Sequence, residues 1–320
     1  MALLTIFTPA YNRAHTIGRT YESMCRQTCH DFEWLIVDDG STDDTRQLVR
    51  SWLEESTLHE DVNEMIGKSK NAQWLAIHYI YQQNQGMHGA HNTAYEHITT
   101  ELNTCIDSDD YATDDAVEKI ANFWNGLPQK KREAYAGIIA LDIDDANRRV
   151  IGDSFPAGLS ATTLTGYYEN GGRGDKKLIY RTEIIKKTPP YPLFEGEHYV
   201  GLNYKYMLVD QHHEMLVLNE PVCVVEYQTD GSSSSMYRQY WNNPKGWAFH
   251  RKEEMKLTHS FKRKVILNIH YVSSSIICGN GKFVKESPCK WLTLLCAPLG
   301  CLLYWKVKHS VQHQKLMKIG

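Results

Sequence analysis

The first 140 residues predict an α/β fold with a mostly parallel sheet flanked by helices. Two observations carry this: apolar, β-rich runs alternate with segments of helical spacing, and three of the runs end in short polar loops. The runs Leu3–Thr8, Trp34–Val37, Trp74–Ile80, Leu102–Ile106 and Ala136–Leu141 read as strands. Between them, Thr16–Gln27, Asp43–Glu54, Gly89–Ile98 and Asp114–Phe123 have the spacing of helices. In such sheets ligands bind at the carboxyl ends of the strands. Those ends hold Thr8-Pro9-Ala10-Tyr11-Asn12, Asp38-Asp39-Gly40-Ser41 and Asp107-Ser108-Asp109-Asp110, which are predicted to converge on one sheet edge.

The middle third, Asp142–Asp230, is less regular. It holds a glycine cluster (Gly171, Gly172, Gly174), Pro189–Pro192, Glu195-Gly196-Glu197, a helical segment at Tyr199–Val209 and a strand-like Met215–Tyr227. The serine run Ser232–Ser235 suggests a lid, Asn242–Ile277 reads as mostly helical, and Trp291–Trp305 is an uncharged apolar run. Three regions follow: 1–230, which holds the converging loops, 231–287 as lid and helical extension, and 288–320 as a hydrophobic and basic tail.

Charge is unevenly distributed. From Arg251 onward, thirteen Lys or Arg face three glutamates, a net +10, so the first 250 residues carry −13 of the total −3. A basic tail seeks an anionic partner. Its apolar run makes that partner a membrane surface rather than nucleic acid. Pro298 and Gly300 are expected to break Trp291–Trp305 into two short helices, too short to span a bilayer. The N-terminus lacks a basic n-region, which reads as an immediate strand and not as a signal peptide. Eight cysteines without a CxxC pair fit reduced thiols in a cytoplasmic setting.

Asp107 and Asp109 stand two residues apart at a strand end, so both carboxylates can address one hard cation, Mn²⁺ or Mg²⁺. The same residues would also serve as helix N-caps. Asp39 at a strand terminus can accept from a base imide or a ribose hydroxyl, or simply close a turn. Tyr11 offers a flat face for a nucleobase. The loop Asn84–Asn92, with Gly86, His88 and His91, opens a helix whose first amides favour phosphate.

In this order the residues resemble the second glycosyltransferase family of the GT-A fold, bacterial capsule and exopolysaccharide enzymes included. The resemblance rests on Thr8-Pro9-Ala10-Tyr11-Asn12, Gln27-Thr28 with Phe32-Glu33, Ile36–Asp43, Asn84-Gln85-Gly86, Asn92 and Asp107–Asp110. It spans Leu3–Phe123 and continues more loosely to Glu197 and Asp230-Gly231. It implies that Thr8, Ala10 and Asn12 line a nucleotide pocket with Tyr11 beside it. It implies further that Asp39 binds uracil, that Asp107 and Ser108 meet the ribose or metal side, and that Asp109 is the principal metal ligand. Gly86, His88 and Asn92 would sit at the phosphates, although relatives often carry a basic residue where His88 and His91 stand. Glu197, or else Glu195, is the implied catalytic base. The implied activity is inverting transfer of a hexosyl or N-acetylhexosaminyl group from a UDP-sugar to a saccharide hydroxyl, lipid-linked, at the inner face of the cell membrane. A non-catalytic nucleotide-binding partner of an assembly complex is one alternative. A nucleotidyltransferase is another, disfavoured because the loop after the first strand is not glycine-rich.

Overall fold

The structure is a computed structural model that describes residues 2–227 and 236–316. The serine run and Asp230-Gly231 lie outside the described residues. The strands are β1 (Leu4–Ala10), β2 (Phe32–Asp38), β3 (His59–Glu60), β4 (Glu64–Lys68), β5 (Ala76–Tyr81), β6 (Leu102–Cys105), β7 (Tyr111–Ala112), β8 (Gly137–Asp144), β9 (Ala161–Thr162), β10 (Lys176–Arg181) and β11 (Met215–Val225). The helices are α1 (Ile17–Cys25), α2 (Thr45–Trp52), α3 (Met87–His97), α4 (Ala116–Asn125), α5 (Gln129–Ala134), α6 (Leu164–Glu169), α7 (Thr182–Lys187), α8 (Asn203–Asp210), α9 (Met236–Asn242), α10 (Pro244–Leu257), α11 (Phe261–Ile277), α12 (Phe283–Glu286) and α13 (Lys290–Leu316).

The chain folds as two compact units, Met1–Pro189 with Val209–Gln228, and Pro190–Leu208 with Thr229–Gly320. This differs from the sequence-based division: Pro190–Leu208 joins the second unit, and the tail after residue 287 does not separate from the helices before it.

The first unit holds one sheet, ordered β3-β4-β5-β2-β1-β6-β10-β8-β11-β7, with β9 on β11. Strands β5, β2, β1 and β6 are parallel neighbours, and β8 runs parallel to β11. The α/β expectation holds, and its parallel part is this four-strand core. The flanks are antiparallel, because β10 inserts between β6 and β8 and the edges are closed by β3–β4 and β7. Every residue of β1 is buried, as expected where helices cover both faces of a parallel strand. Helix α1 buries Ile17, Thr20, Tyr21 and Met24, the one-sided stripe of a helix packed on a sheet. Its Tyr21 stacks on Trp52 of α2, with ring centroids 4.2 Å apart.

In the second unit α13 is one continuous helix with Pro298 inside it, which corrects the expected break. Docking along α11 explains it. Cys296 lies against the Val265 carbonyl and Gly300 against Ile269 and Val272, so the two helices run side by side in the same direction. A Cβ at Gly300 would stand 2.5 Å from Val272. The Thr293 hydroxyl, 2.5 Å from Asn268 Oδ1 and 2.6 Å from the Ser287 hydroxyl, anchors the first turns. These contacts offset the roughly 3 kcal/mol that an internal proline costs a helix.

Candidate active site

The loops after β1 and β2 are built on each other. The Asp39 amide donates to the Ala10 carbonyl at 2.8 Å. Asp38, fully buried, accepts from Tyr79 Oη at 2.6 Å and from the Ser41 amide at 2.8 Å. Asn12 takes a positive φ of 54°. Its Oδ1 accepts from the amides of Thr42 and Asp43, and its own amide donates to the Ser41 hydroxyl. Asn12 therefore shapes the pocket by holding the second loop. Thr8 is fully buried and its hydroxyl accepts from Trp34 Nε1 at 2.9 Å, so that side chain belongs to the floor rather than the lining. Ala10 is buried as well, whereas Tyr11 is half-exposed and free to offer its face.

Asp39 is the hub of this edge, 3% exposed. Its Oδ1 accepts from Gln82 Nε2 at 2.7 Å and the Gln85 amide at 2.9 Å, and its Oδ2 from the Gly86 amide at 2.8 Å. Gln82 in turn accepts from Thr93 of α3 at 2.5 Å, so the β2 loop, the β5 loop and α3 form one polar relay. Gly40 makes the close approach possible: at φ 85° an added Cβ would lie 2.8 Å from the Asn84 amide nitrogen. Gly86 stands at φ 83° immediately before α3. Asn92 is half-buried on α3. His88 and His91 are each 1% exposed, packed on the inner face of α3, with the His91 ring edge-on to Phe7 at 4.9 Å. Sequence reading put His88 in the loop before the helix; it lies instead in the first turn of α3, with its side chain buried.

Beyond β6, the Asp110 amide closes a turn on the Asp107 carbonyl at 3.0 Å. Asp107 and Asp109 are half-buried, while Ser108 and Asp110 are buried. Arg19 donates to the Asp109 carbonyl at 3.3 Å and pairs with Glu226. Thr20 donates to the Asp110 carbonyl at 2.7 Å, and the Glu226 amide to Asp110 Oδ1 at 3.1 Å. Desolvation and then the negative charge of Asp107 push the Asp109 carboxyl above its usual range. A carboxylate whose proton affinity is raised by the negative charge of its neighbour forms with it a pair suited to a hard divalent cation completed by diphosphate and water oxygens. Among the described residues no group of three or more His, Cys, Asp or Glu is gathered closely enough to hold a metal ion.

One group at this edge escaped sequence reading. Lys177 of β10 donates to the Cys105 carbonyl at 3.3 Å and sits 3.9 Å from buried Asp142. Burial alone would lower its pKa, but Asp142, Cys223, Asp110 and Asp107 outweigh that and raise it well above the ordinary value. It is the internal countercharge beneath the aspartates. The antiparallel register of β10 on β6 puts it there, and no spacing in the sequence signals such a pairing.

In the second unit, Glu197 is buried, and its two oxygens accept the amides of Lys245 (2.9 Å) and Gly246 (2.8 Å) in the first turn of α10. It caps that helix, a role that sequence reading did not assign. Glu195 and His198 beside it are exposed. The eight cysteines, all within the described residues, are free thiols.

Comparison with known proteins gives the fold a lineage. Residues 5–130 match the family model described as Glycosyl transferase family 2. An uncharacterised glycosyltransferase from Nostoc sp. is 26% identical over 193 residues, covering 58% of this chain and 53% of the relative. The chondroitin synthase of Escherichia coli is 36% identical over 116 residues, which is 36% of this chain and 14% of that enzyme. The chain thus spans about half the length of the first relative and far less of the second. Residues 1–349 of S. aureus TarS, solved in complex with UDP-GlcNAc, superpose with a TM-score of 0.60 at 18% identity, covering 98% of this chain and 92% of that one. Residues 5–130 are thus similar to glycosyl transferase family 2, and the architecture of the chain is that of a GT-A fold.

Proposed function

We propose that the chain is an inverting, metal-dependent glycosyltransferase of bacterial polysaccharide synthesis. It moves a hexosyl or N-acetylhexosaminyl group from a nucleotide diphosphate, a UDP-sugar, to a hydroxyl of a lipid-linked saccharide. The observation that carries this is the meeting of Asp39, the Gly86 turn and the Asp107–Asp110 turn at the carboxyl edge of parallel strands β2, β1 and β6. The UDP-GlcNAc held by the TarS structure supports the choice of donor class.

In this reading Tyr11 stacks the uracil and Asp39 takes its imide, opening part of its relay to Gln82 and Gln85. The Gly86 turn and Asn92 meet the diphosphate, and Ser108 and Asp107 meet the ribose side. Asp107 and Asp109 would hold Mn²⁺ or Mg²⁺, which when bound neutralises negative charge on the leaving diphosphate. The acceptor oxygen forms a bond to the anomeric carbon while the bond to the diphosphate breaks, its electron pair leaving with the phosphate. One such displacement inverts the configuration. The acceptor's proton passes to a side chain of the Glu195–His198 segment. Glu197, the base inferred from the resemblance, has its oxygens engaged by α10, so we assign the proton to exposed Glu195 or His198. We place the chain at the inner face of the cell membrane, held peripherally by its C-terminal helix. The test is a panel of nucleotide sugars with and without Mn²⁺, read by donor hydrolysis and by product anomeric configuration. A retained configuration, or no donor turned over by a protein that binds UDP, overturns the reading.

A further inference from the structure

Helix α13 is amphipathic the wrong way round for a surface helix. A surface helix normally turns its apolar stripe inward. Here the inward face carries Thr293, Cys296 and Gly300 before Val307 and Val311, while Trp291, Leu294, Leu295, Leu299, Leu302 and Trp305 face outward, between 51% and 82% exposed. Their spacing of three and four keeps them in one line. At ~1.5 Å per residue that line is about 21 Å long. The largest apolar patch of a monomer is typically ~300–600 Å² and often functional, and six such side chains in a row reach that order.

We propose that this stripe is a lipid-docking face: α13 lies in the plane of an anionic bilayer surface with the outward Leu and Trp side chains sunk among the headgroups. The proposal rests on the peripheral-membrane reading above and names the face that does the binding. Charge complementarity selects the partner. Lys282, Lys285, Lys290, Lys306 and Lys308 flank the stripe against a single glutamate, Glu286, and each lysine near an anionic leaflet adds to the attraction. Lys308 already lies over the Trp305 ring, 5.2 Å from its centroid, placing cation and aromatic side by side as an interface requires. Trp291 and Trp305 mark the two ends, the level at which amphipathic rings settle. Among the described residues no helix is long and apolar enough to cross a membrane, so an in-plane arrangement is the one this helix fits.

The experiment is flotation of the full chain with vesicles of phosphatidylcholine alone or with 30% phosphatidylglycerol, at low and high salt. Wild type is compared with the combined variant Leu295→Ser, Leu299→Ser, Leu302→Ser. Melting temperature, UDP-sugar hydrolysis in free solution and molar mass by light scattering are measured alongside. The expected result is flotation on anionic vesicles that weakens with salt and falls at least tenfold in the variant. Because the three side chains are outward, melting and solution hydrolysis should not change. Equal flotation of the two proteins, or equal binding to neutral vesicles, overturns the proposal. So does a wild-type dimer that neither floats nor survives the substitutions, which would make the occupant a second copy. Flotation by a protein that hydrolyses no donor leaves the docking face standing and removes only the catalytic reading.

Discussion

The Asp39 carboxylate and the Gly86 amide meet at 2.8 Å, joining the loop that would read the base to the turn that would receive the phosphates. One buried carboxylate thus sets the spacing of both.

Substituting Asp39→Asn places an N–H₂ where backbone amides now point. A buried amide left without its acceptor costs about 1–3 kcal/mol. The expected outcome is a loss of that size in urea melts and at least a tenfold loss of UDP affinity by calorimetry. Wild-type affinity with wild-type stability would remove Asp39 from both roles.

Asp109→Ala should leave circular dichroism unchanged, since the side chain is only half-buried and no apolar contact is lost. Transfer, and the Mn²⁺-dependent part of the UDP thermal shift, should disappear. Activity within about threefold of wild type, on a reaction where base catalysis alone gives ~10²–10⁴, would sink the metal assignment.

The aspartates under the site make a pH signature. Burial, reinforced by Asp107 and Asp109 and opposed by Lys177, pushes Asp110 up to about 7, and burial pushes Asp142 to about 6. Both lie above the ~3.9 of an unfolded aspartate, so between those limits the folded chain binds more protons than the unfolded one. Their contribution to stability is fully present below about pH 4 and is lost as pH rises through about 6 and then about 7. Metal-free protein should therefore melt lower at pH 7.5 than at pH 5.5. Asp110→Asn, which mimics the protonated form, should flatten that fall. An identical slope in the variant refutes the assignment to Asp110.

Glu197→Gln separates two jobs. As the cap of α10 it should lower stability by about 1–2 kcal/mol, read by chemical melts, with donor hydrolysis surviving in the folded fraction. Glu195→Gln or His198→Gln should instead leave melting unchanged, and one of them should lose ~10²–10⁴ in turnover. If only Glu197→Gln loses turnover while its melt is untouched, the base is Glu197 after all.

Much of this was legible in advance, for identifiable reasons. Strands β1, β2, β5, β6 and β8, and helices α1 to α4, announce themselves because burial on a parallel sheet demands continuous apolar runs and one-sided stripes. The Asp39 and Asp107–Asp109 loops were marked by polar residues stranded at strand ends. Strand β10 was not, since Lys176, Lys177 and Arg181 disguise a six-residue strand whose position between β6 and β8 is set by pairing alone. Its Lys177 was lost with it. His88 was misplaced because a loop and a first helical turn look alike in sequence, while Glu197 hid its cap because its partners lie 48 and 49 residues away.

Pro298 carries a last consequence. Having no N–H, it leaves the Leu294 carbonyl without the amide that the next turn would supply, midway along the outward Leu and Trp line. Sunk into hydrocarbon, a carbonyl in that state costs several kcal/mol. In the hydrated headgroup layer water satisfies it at little cost. On the proposed lipid-docking face the proline would act as a depth gauge, a built-in limit that lets the helix rest at the water line and opposes any deeper immersion.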